Sequence, residues 1–333
     1  MSLWLDSFLM FFILLIMKKI FFGALALSVA TVSCVKDDCV LNEEKEALVT
    51  PRLESRLADN ESPLSGILEA YPCNAGTSIF CGNYVNDKLS TFYGFYHIQD
   101  GSIYGDNNRE ISLPVGQYNM VYWGTPQYEE PIHTTPAIRE PGLSIGSDLS
   151  NLYFELRQNS SDTTYIPVFD LVYGRQNVNI GEEDLQANMR RAVAGLKVIV
   201  KTANNGVISS NVESIKVHIG GIAEKLNLYT AEPENKEKTV AFDLVRSVDN
   251  TEMSNAMIML FPSTNNPLLQ LFITLKDGTV HRLARNLSST LDANTRLTLN
   301  VVIGNIFSGG GTGNFTIENW NEATETIEFP VVD

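Results

Sequence analysis

The sequence predicts an all-β protein with two β-sandwich domains in tandem. Beyond residue 63, short runs of apolar, aromatic and β-branched residues alternate with Gly, Asn, Asp and Pro, which is typical of sandwiches. A hydrophobic content of 44% is ample for packed cores, and 333 residues predict two domains at roughly 100–200 residues each. We expect these domains at 64–182 and 183–333, with the boundary after Gly174–Gly181.

The first domain contains a predicted strand, turn and second strand. Ile111–Leu113 alternates in polarity, and Leu113–Gly116 fits a type I turn because Pro is its second residue and Gly its fourth. Alternation resumes with Tyr118, Met120 and Tyr122, which share one face of a strand.

Residues 182–194 carry the one helical pattern in the interior of the chain. Leu185, Met189 and Val193 recur every four residues, and acids crowd the first turn. A loop that enters a strand fits the same residues equally well.

The second domain consists of predicted strands up to the C-terminus. The strictest alternation is that of Leu297, Leu299 and Val301, which predicts a strand over 297–303. Further strands are predicted at 196–200, 214–219, 239–244, 257–261, 269–275, 280–283, 315–317 and 327–331.

The N-terminal region predicts export. Two apolar runs, 3–16 and 20–32, are separated by two lysines, and each is shorter than the roughly 20 residues of a membrane-spanning helix. Translation from Met17 gives lysines, an apolar stretch and small residues before Cys34, which is the order of a signal peptide over 1–33. Two membrane passes or a helical hairpin are the alternative, and the central lysines disfavour both.

The end of this signal resembles that of a bacterial lipoprotein, in which a cysteine thiol receives a diacylglycerol. Ser33 is a usual small residue before Cys34, whereas Thr31 stands where Leu is common. Lys36–Asp38 resembles the lysine-then-acids signal of surface lipoproteins in Bacteroidetes. The resemblance implies a lipid at Cys34 and exposure on the outer membrane. The polar and charged composition of residues 34–63 predicts an acidic tether.

Charge and residue types exclude several classes of function. A net charge of −15 leaves no excess of cations for binding nucleic acid and is typical of a solvated surface. The chain shows no nucleophile elbow and no convincing acid–base pair, so we expect no enzyme, no metal and no cofactor. Its histidines stand far apart, at His97, His133, His218 and His281.

Cys73 and Cys81 stand eight residues apart, which is too wide for a redox pair, and no histidine flanks them for zinc. In an exported protein they form either one disulfide or two separately buried thiols. The sequence leaves both alternatives open.

Aromatic residues concentrate over 92–128. Rings that face solvent stack on sugars, which gives the alternative function of a surface lipoprotein that binds glycans for nutrient capture. Alternating aromatics more often fill a sandwich core. The set comprises Phe92, Tyr93, Phe95, Tyr96, Tyr104, Tyr118, Tyr122, Trp123 and Tyr128.

Three segments together resemble the fimbrial proteins of Bacteroidales, the type V pilus family of stalk, anchor and accessory subunits. Ile111–Trp123 resembles the hairpin of that family's N-terminal transthyretin-like sandwich. Met189–Val200 resembles the entry into its C-terminal sandwich, and Leu291–Ile303 with Phe315–Trp320 resembles its final strands. The resemblance implies two transthyretin-like sandwiches and a structural or adhesive role as anchor, accessory or tip subunit.

The same resemblance implies how the chain assembles. Its partners are other fimbrial subunits, the outer membrane through the lipid, and host or bacterial surface receptors. Subunits of this family mature by cleavage at an arginine or lysine, for which Arg52 and Arg56 are the candidates, whereas an anchor stays uncut. Subunits of this family also exchange strands. The alternating residues near the C-terminus predict a strand that could be donated to a neighbouring subunit, with Ile327, Phe329 and Val331 on one face.

Overall fold

The computed structural model describes residues 47–57, 63–126, 138–203 and 205–303, and the backbone of Gly313–Asn319 and Thr326–Phe329. The predicted signal peptide 1–33, Cys34 and most of the predicted tether lie outside the described residues. In the described part of the chain, nearly all of the regular secondary structure is β-strand, with one short 3-10 helix at Leu149–Asn151. The all-β class is therefore confirmed.

The strands of the first half are β1 Leu48–Val49, β2 Leu53–Leu57, β3 Gly66–Asn74, β4 Asn83–Val85, β5 Lys88–Ser90, β6 Gly94–Gln99, β7 Ser102–Ile103, β8 Leu113–Pro114, β9 Gly116–Pro126, β10 Ile138–Arg139, β11 Tyr153–Leu156, β12 Val172–Ile180 and β13 Leu185–Arg191. Those of the second half are β14 Ala194–Thr202, β15 Val212–Ile222, β16 Lys225–Asn227, β17 Pro233–Glu234, β18 Lys238–Asp243, β19 Val245–Arg246, β20 Glu252–Ser254, β21 Ile258–Leu260, β22 Leu268–Leu275, β23 Val280–Asn286, β24 Arg296–Ile303, β25 Gly313–Asn319 and β26 Thr326–Phe329.

Two seven-stranded sheets dominate the fold. The first has the order β2-β13-β12-β9-β3-β6-β7, and its only parallel pair is β2 with β13. The second has the order β19-β20-β14-β24-β25-β26, with β21 also paired to β14. A four-stranded sheet, β18-β15-β22-β23, shares a hydrophobic core with the second large sheet. Smaller sheets are β1-β8, β4-β5 and β10-β11-β16-β17.

The core consists of two clusters that use opposite faces of the first large sheet. On β9, Met120 and Tyr122 enter the smaller cluster, whereas Val121 and Trp123 enter the larger one. This division follows from the two-residue period of a strand, because successive side chains point to opposite faces. Both faces of β9 are therefore buried, and each fully buried large apolar side chain contributes roughly 1.5–3 kcal/mol.

The segment predicted as a helix is a strand. Within β13, Leu185, Ala187 and Met189 are buried and alternate with more exposed residues. A spacing of four residues fits a helix, but it is also a multiple of two, so the same residues share one face of a strand. The prediction of a helix over 182–194 is wrong, and the alternative of a chain entering a strand describes this segment better.

The predicted hairpin around Pro114 is also wrong. Leu113–Pro114 pairs with Leu48–Val49 rather than with the strand that follows it. The long strand Gly116–Pro126 is bonded along both edges, to β3 on one side and β12 on the other. No edge of β9 is left for the preceding residues.

The predicted tether ends earlier than residue 63, because Leu53–Leu57 forms a strand of the first large sheet. Leu53, Ser55 and Leu57 are buried, and Glu54 and Arg56 between them are exposed. The two charged residues gave this segment the composition of a tether. Its two-residue alternation of buried and exposed residues is the pattern of a strand.

The division at residues 182 and 183 stays a prediction, and strand pairing crosses it in two places. Leu185–Arg191 completes the sheet built from the first half of the chain. Tyr153–Leu156 pairs with Lys225–Asn227 from the second half. In addition, the Trp123 indole nitrogen donates a hydrogen bond to the Leu228 carbonyl oxygen at 2.8 Å.

Candidate functional site

The candidate sites for attachment and assembly lie near the two ends of the described chain. Near the N-terminal end, β2 is the edge strand of the first large sheet and pairs in register with β13, from Leu53 opposite Leu185 to Leu57 opposite Met189. The Arg52 carbonyl oxygen accepts a hydrogen bond from the Leu185 amide at 2.8 Å. The strand is therefore bound to the sheet from its first residues.

Side-chain packing also fixes β2. Leu53 and Leu57 are only 6% and 8% exposed and belong to the smaller core cluster. The Ser55 amide donates a hydrogen bond to the Gly101 carbonyl oxygen at 3.1 Å. An edge strand held in this way is part of the folded core.

The two candidate cleavage residues lie on the exposed side of this strand. Arg52 and Arg56 are both exposed, and the Arg56 Nε donates a hydrogen bond to Asn188 Oδ1 at 2.5 Å. A cut after Arg52 would break the peptide bond whose carbonyl oxygen is bonded to Leu185. Cys34, the candidate lipid attachment residue, lies outside the described residues.

Near the C-terminal end, the backbone runs antiparallel through β24, β25 and β26. Val301 is opposite Phe315, and Phe315 is opposite Ile327 on the next strand. Phe329 is opposite Gly313, and Val331 lies outside the described residues. Within the described part of the chain, β26 is the last strand of the second large sheet, at its edge.

Cys73 and Cys81 are free thiols in the structure and are not joined in a disulfide. Cys73 is fully buried, and the Cys81 Sγ donates a hydrogen bond to the Pro72 carbonyl oxygen at 3.3 Å. Burial raises the pKa of the Cys73 thiol to about 12 and that of the Cys81 thiol to about 11. Both thiols are protonated at neutral pH and are therefore poor nucleophiles.

The aromatic residues divide between the core and the surface. Tyr96, Tyr122 and Trp123 are at most 1% exposed and fill the core, whereas Phe92 and Tyr104 are 56% and 63% exposed. Tyr93, Phe95 and Tyr118 are half-buried, and Tyr128 lies outside the described residues. Among the described residues of this segment, Phe92 and Tyr104 are therefore the rings that face solvent.

The described residues hold no group of three side chains from His, Cys, Asp and Glu that is arranged to ligate a metal. His97 lies edge-on to Phe95 with ring centroids 5.3 Å apart, and His218 lies against Phe272 at 4.5 Å. His133 lies outside the described residues. No described helix has the length and apolar character needed to cross a membrane.

Solved structures from Porphyromonas and Bacteroides share this fold. The fimbrial anchor protein Mfa2 from Porphyromonas gingivalis aligns with 15% identity over 81% of this chain and 96% of its own, with a TM-score of 0.50. A candidate polysaccharide-binding protein from Bacteroides thetaiotaomicron aligns with 15% identity over 79% of this chain and 90% of its own, with a TM-score of 0.52. At this identity the likeness shows the fold alone.

Comparison with curated protein sequences gives no significant match. A protein-family model does match, over residues 46–326, which includes the first large sheet and the second as far as the first residue of β26. Its members are fimbrial structural and anchor proteins rather than enzymes. This chain belongs to the family of fimbrillin-A associated anchor proteins Mfa1 and Mfa2.

Proposed function

We propose that this chain is an outer-membrane lipoprotein that anchors a fimbria, with its lipid at Cys34 and its C-terminal strand paired to a neighbouring subunit. The observation that carries the proposal is the family match over residues 46–326. Membership makes the chain a fimbrial or adhesin-type subunit, and the two ends of the chain supply the rest of the argument.

The N-terminal end supports attachment by a tether. Residues 35–46 separate Cys34 from the first described residue, and β2 begins at Leu53. Because the core holds β2, a pulling force on the fimbria passes through that strand to the tether and the lipid. Two or more acyl chains hold a protein stably in a membrane.

Metabolic labelling with a fatty acid tests this attachment. The wild-type protein should be labelled and Cys34→Ala should be unlabelled, with fimbriae released from the cells into the medium. Cys39→Ala is the matched control and should be labelled like the wild type. Equal labelling of Cys34→Ala would exclude the proposed attachment.

We also propose that the chain stays uncut at Arg52 and Arg56, as an anchor does. Proteases prefer exposed loop tips, whereas Arg56 lies within a paired strand whose neighbours Ser55 and Leu57 are buried. Mass spectrometry of protein purified from the cell surface should find peptides that span both arginines. A mature N-terminus at Leu53 or Leu57 would contradict an anchor role and favour a stalk or tip subunit.

The C-terminal end supports strand exchange. A strand at the edge of a sheet offers unpaired backbone groups, and an added strand binds through them while alternate side chains fill pockets. Strand β26 occupies such an edge among the described strands. Ile327, Phe329 and Val331 are the residues that we propose to engage the neighbouring subunit.

Glycan binding is the second candidate function, and the exposed rings favour it. Phe92 is 56% exposed, and the Arg109 guanidinium lies 4.8 Å from its centroid, while Tyr104 is 63% exposed. Isothermal titration against host and dietary polysaccharides tests it. Binding that disappears in Phe92→Ala and persists in the matched control Val115→Ala, which replaces another exposed apolar residue, would support it.

A further inference from the structure

A groove opens on the inner face of the first large sheet, with a carboxyl group in the middle of its wall. Glu69 on β3 lies directly opposite Phe95 on β6 and Trp123 on β9, so the three strands present an aromatic ring, a carboxyl and a second aromatic ring in one row. The lining also includes Phe154 and Phe169. We call this cavity of about 260 Å³ the carboxyl groove.

Two tyrosines hold the Glu69 carboxyl in place. The Tyr71 hydroxyl donates a hydrogen bond to Oε2 at 2.7 Å, and the Tyr93 hydroxyl donates one to Oε1 at 3.1 Å. The Arg109 Nε donates to the Tyr93 carbonyl oxygen at 2.6 Å, so this guanidinium is bound to the backbone. Each carboxyl oxygen of Glu69 receives one hydroxyl and keeps a second acceptor position.

The charged residues that line the groove are all acidic. Glu69 and Glu140 both contribute to its lining, and no described residue of that lining is a cation. Burial is the largest cause that raises the pKa of Glu69 to about 7, and Glu140 raises it further, while Tyr71, Tyr93 and Arg109 oppose the rise. A carboxyl that is costly to ionise in the free protein becomes easier to ionise when a cation enters.

We propose that the carboxyl groove binds the ammonium group of a lysine side chain from a partner polypeptide. Aromatic rings beside a carboxylate attract a cation through the negative faces of the rings as well as through the charge. The cavity is smaller than the roughly 300–1,000 Å³ of typical small-molecule sites, which suits a single side chain. Each carboxyl oxygen of Glu69 already accepts a hydrogen bond from a tyrosine hydroxyl. The compact ammonium of lysine therefore fits better than the planar guanidinium of arginine, which binds both oxygens of a carboxylate at once.

The probe for this proposal is a lysine residue blocked at both ends, Nα-acetyl-lysine methylamide, titrated calorimetrically into the full-length protein. The matched compound is Nα-acetyl-norleucine methylamide, which has the same carbon stem without the ammonium. At pH 8 the lysine compound should bind at least about tenfold more tightly. Equal binding of the two, or no binding of the lysine compound at about 10 mM, would overturn the proposal.

A substitution at Glu69 tests how much the carboxyl contributes to binding, independently of the apolar walls of the groove. Glu69→Gln should weaken lysine binding about tenfold or more and leave norleucine binding unchanged. Glu213→Gln, at an exposed site on β15, is the matched control and should bind like the wild type. Unchanged lysine binding in Glu69→Gln would overturn the proposal.

A second measurement needs no variant. In the wild type, affinity for the lysine compound should fall about tenfold from pH 8 to pH 6, because Glu69 takes up a proton in this range and the ligand does not. The norleucine compound should show no such change. A flat pH profile for lysine would overturn the proposal, and so would tighter binding of free lysine, which would indicate a site for the amino acid itself.

Discussion

The two large sheets each contain seven strands, but they bury different residues. In the second sheet, the buried side chains that the central parallel pair β14 and β24 presents inward are all aliphatic, and Val198 and Leu299 among them are fully buried. In the first sheet, the row that faces inward carries a carboxyl, Glu69, between two aromatic rings. The second sheet is therefore a packing surface, whereas the first combines packing with a polar site.

The edges of the two sheets differ in a similar way. Strand β2 ends the first sheet and is held in the core by Leu53 and Leu57. Strand β26 ends the described part of the second sheet and pairs only with β25 over four residues. In the function that we propose, the edge near the N-terminus transmits force, and the edge near the C-terminus exchanges partners.

The largest expected effect is in the aliphatic interior of the second sheet. Leu299→Asp would bury an unpaired carboxylate and should cost several kcal/mol, roughly the whole stability of an ordinary domain. Thr298→Asp, one residue away on the other face, should cost less than about 1 kcal/mol. Urea unfolding measures both, and equal tolerance would mean that the register of β24 is wrong.

The next effect concerns the edge strand of the first sheet. Leu57→Ala should lower the free energy of unfolding by about 2 kcal/mol, because it removes a buried side chain and leaves a cavity. Arg56→Ala removes one exposed hydrogen bond and should cost less than about 0.5 kcal/mol. If both variants matched the wild type, β2 would be a tether and not part of the core.

The Glu69 carboxyl in the first sheet should make the stability of the protein depend on pH. The pKa of Glu69 is raised from 4.5 to about 7 in the folded protein, so the folded state keeps a proton that the unfolded state releases. The wild type should therefore lose stability as the pH rises from about 4.5 to about 7, by up to about 1.4 kcal/mol per pH unit before solvent screening. The difference in unfolding free energy between wild type and Glu69→Gln measures this, and a constant difference would refute it.

The smallest effect on stability is expected at the C-terminal edge. Deletion of residues 325–333 should change the free energy of unfolding by about 1 kcal/mol or less, because the described part of this segment, Thr326–Phe329, is an edge strand. The truncated protein should remain lipidated but should no longer join fimbriae, which immunogold microscopy measures. Loss of folding would make this segment an ordinary core strand, and normal fimbriae would exclude its role in exchange.

Strict alternation allowed the sequence to predict most strands of the second half. Residues 269–275 and 297–303 lie within strands β22 and β24, whose inward residues are aliphatic and whose outward residues are mostly polar. The errors arose where two structures share one pattern. Leu185 and Met189 fit both a helix and a strand, and the partner of Leu113–Pro114 depended on distant strands that had already occupied β9.

The carboxyl groove could not be predicted, because its row brings together three strands that are distant in sequence. Glu69 appeared as one of many acids in an acidic chain. The one local signal was Tyr71, two residues further along the same strand face, whose hydroxyl holds the carboxyl. Strand spacing predicts which side chains share a face, but not which strand lies beside them.

The claim that one edge is fixed and the other exchanges is tested most directly by hydrogen–deuterium exchange, compared between the free protein and the protein in purified fimbriae. The account predicts that amides of Leu53–Leu57 are protected in both states, whereas those of Thr326–Phe329 exchange rapidly in the free protein and become protected in the fimbria. Protection of Thr326–Phe329 that is equally strong in both states would contradict it.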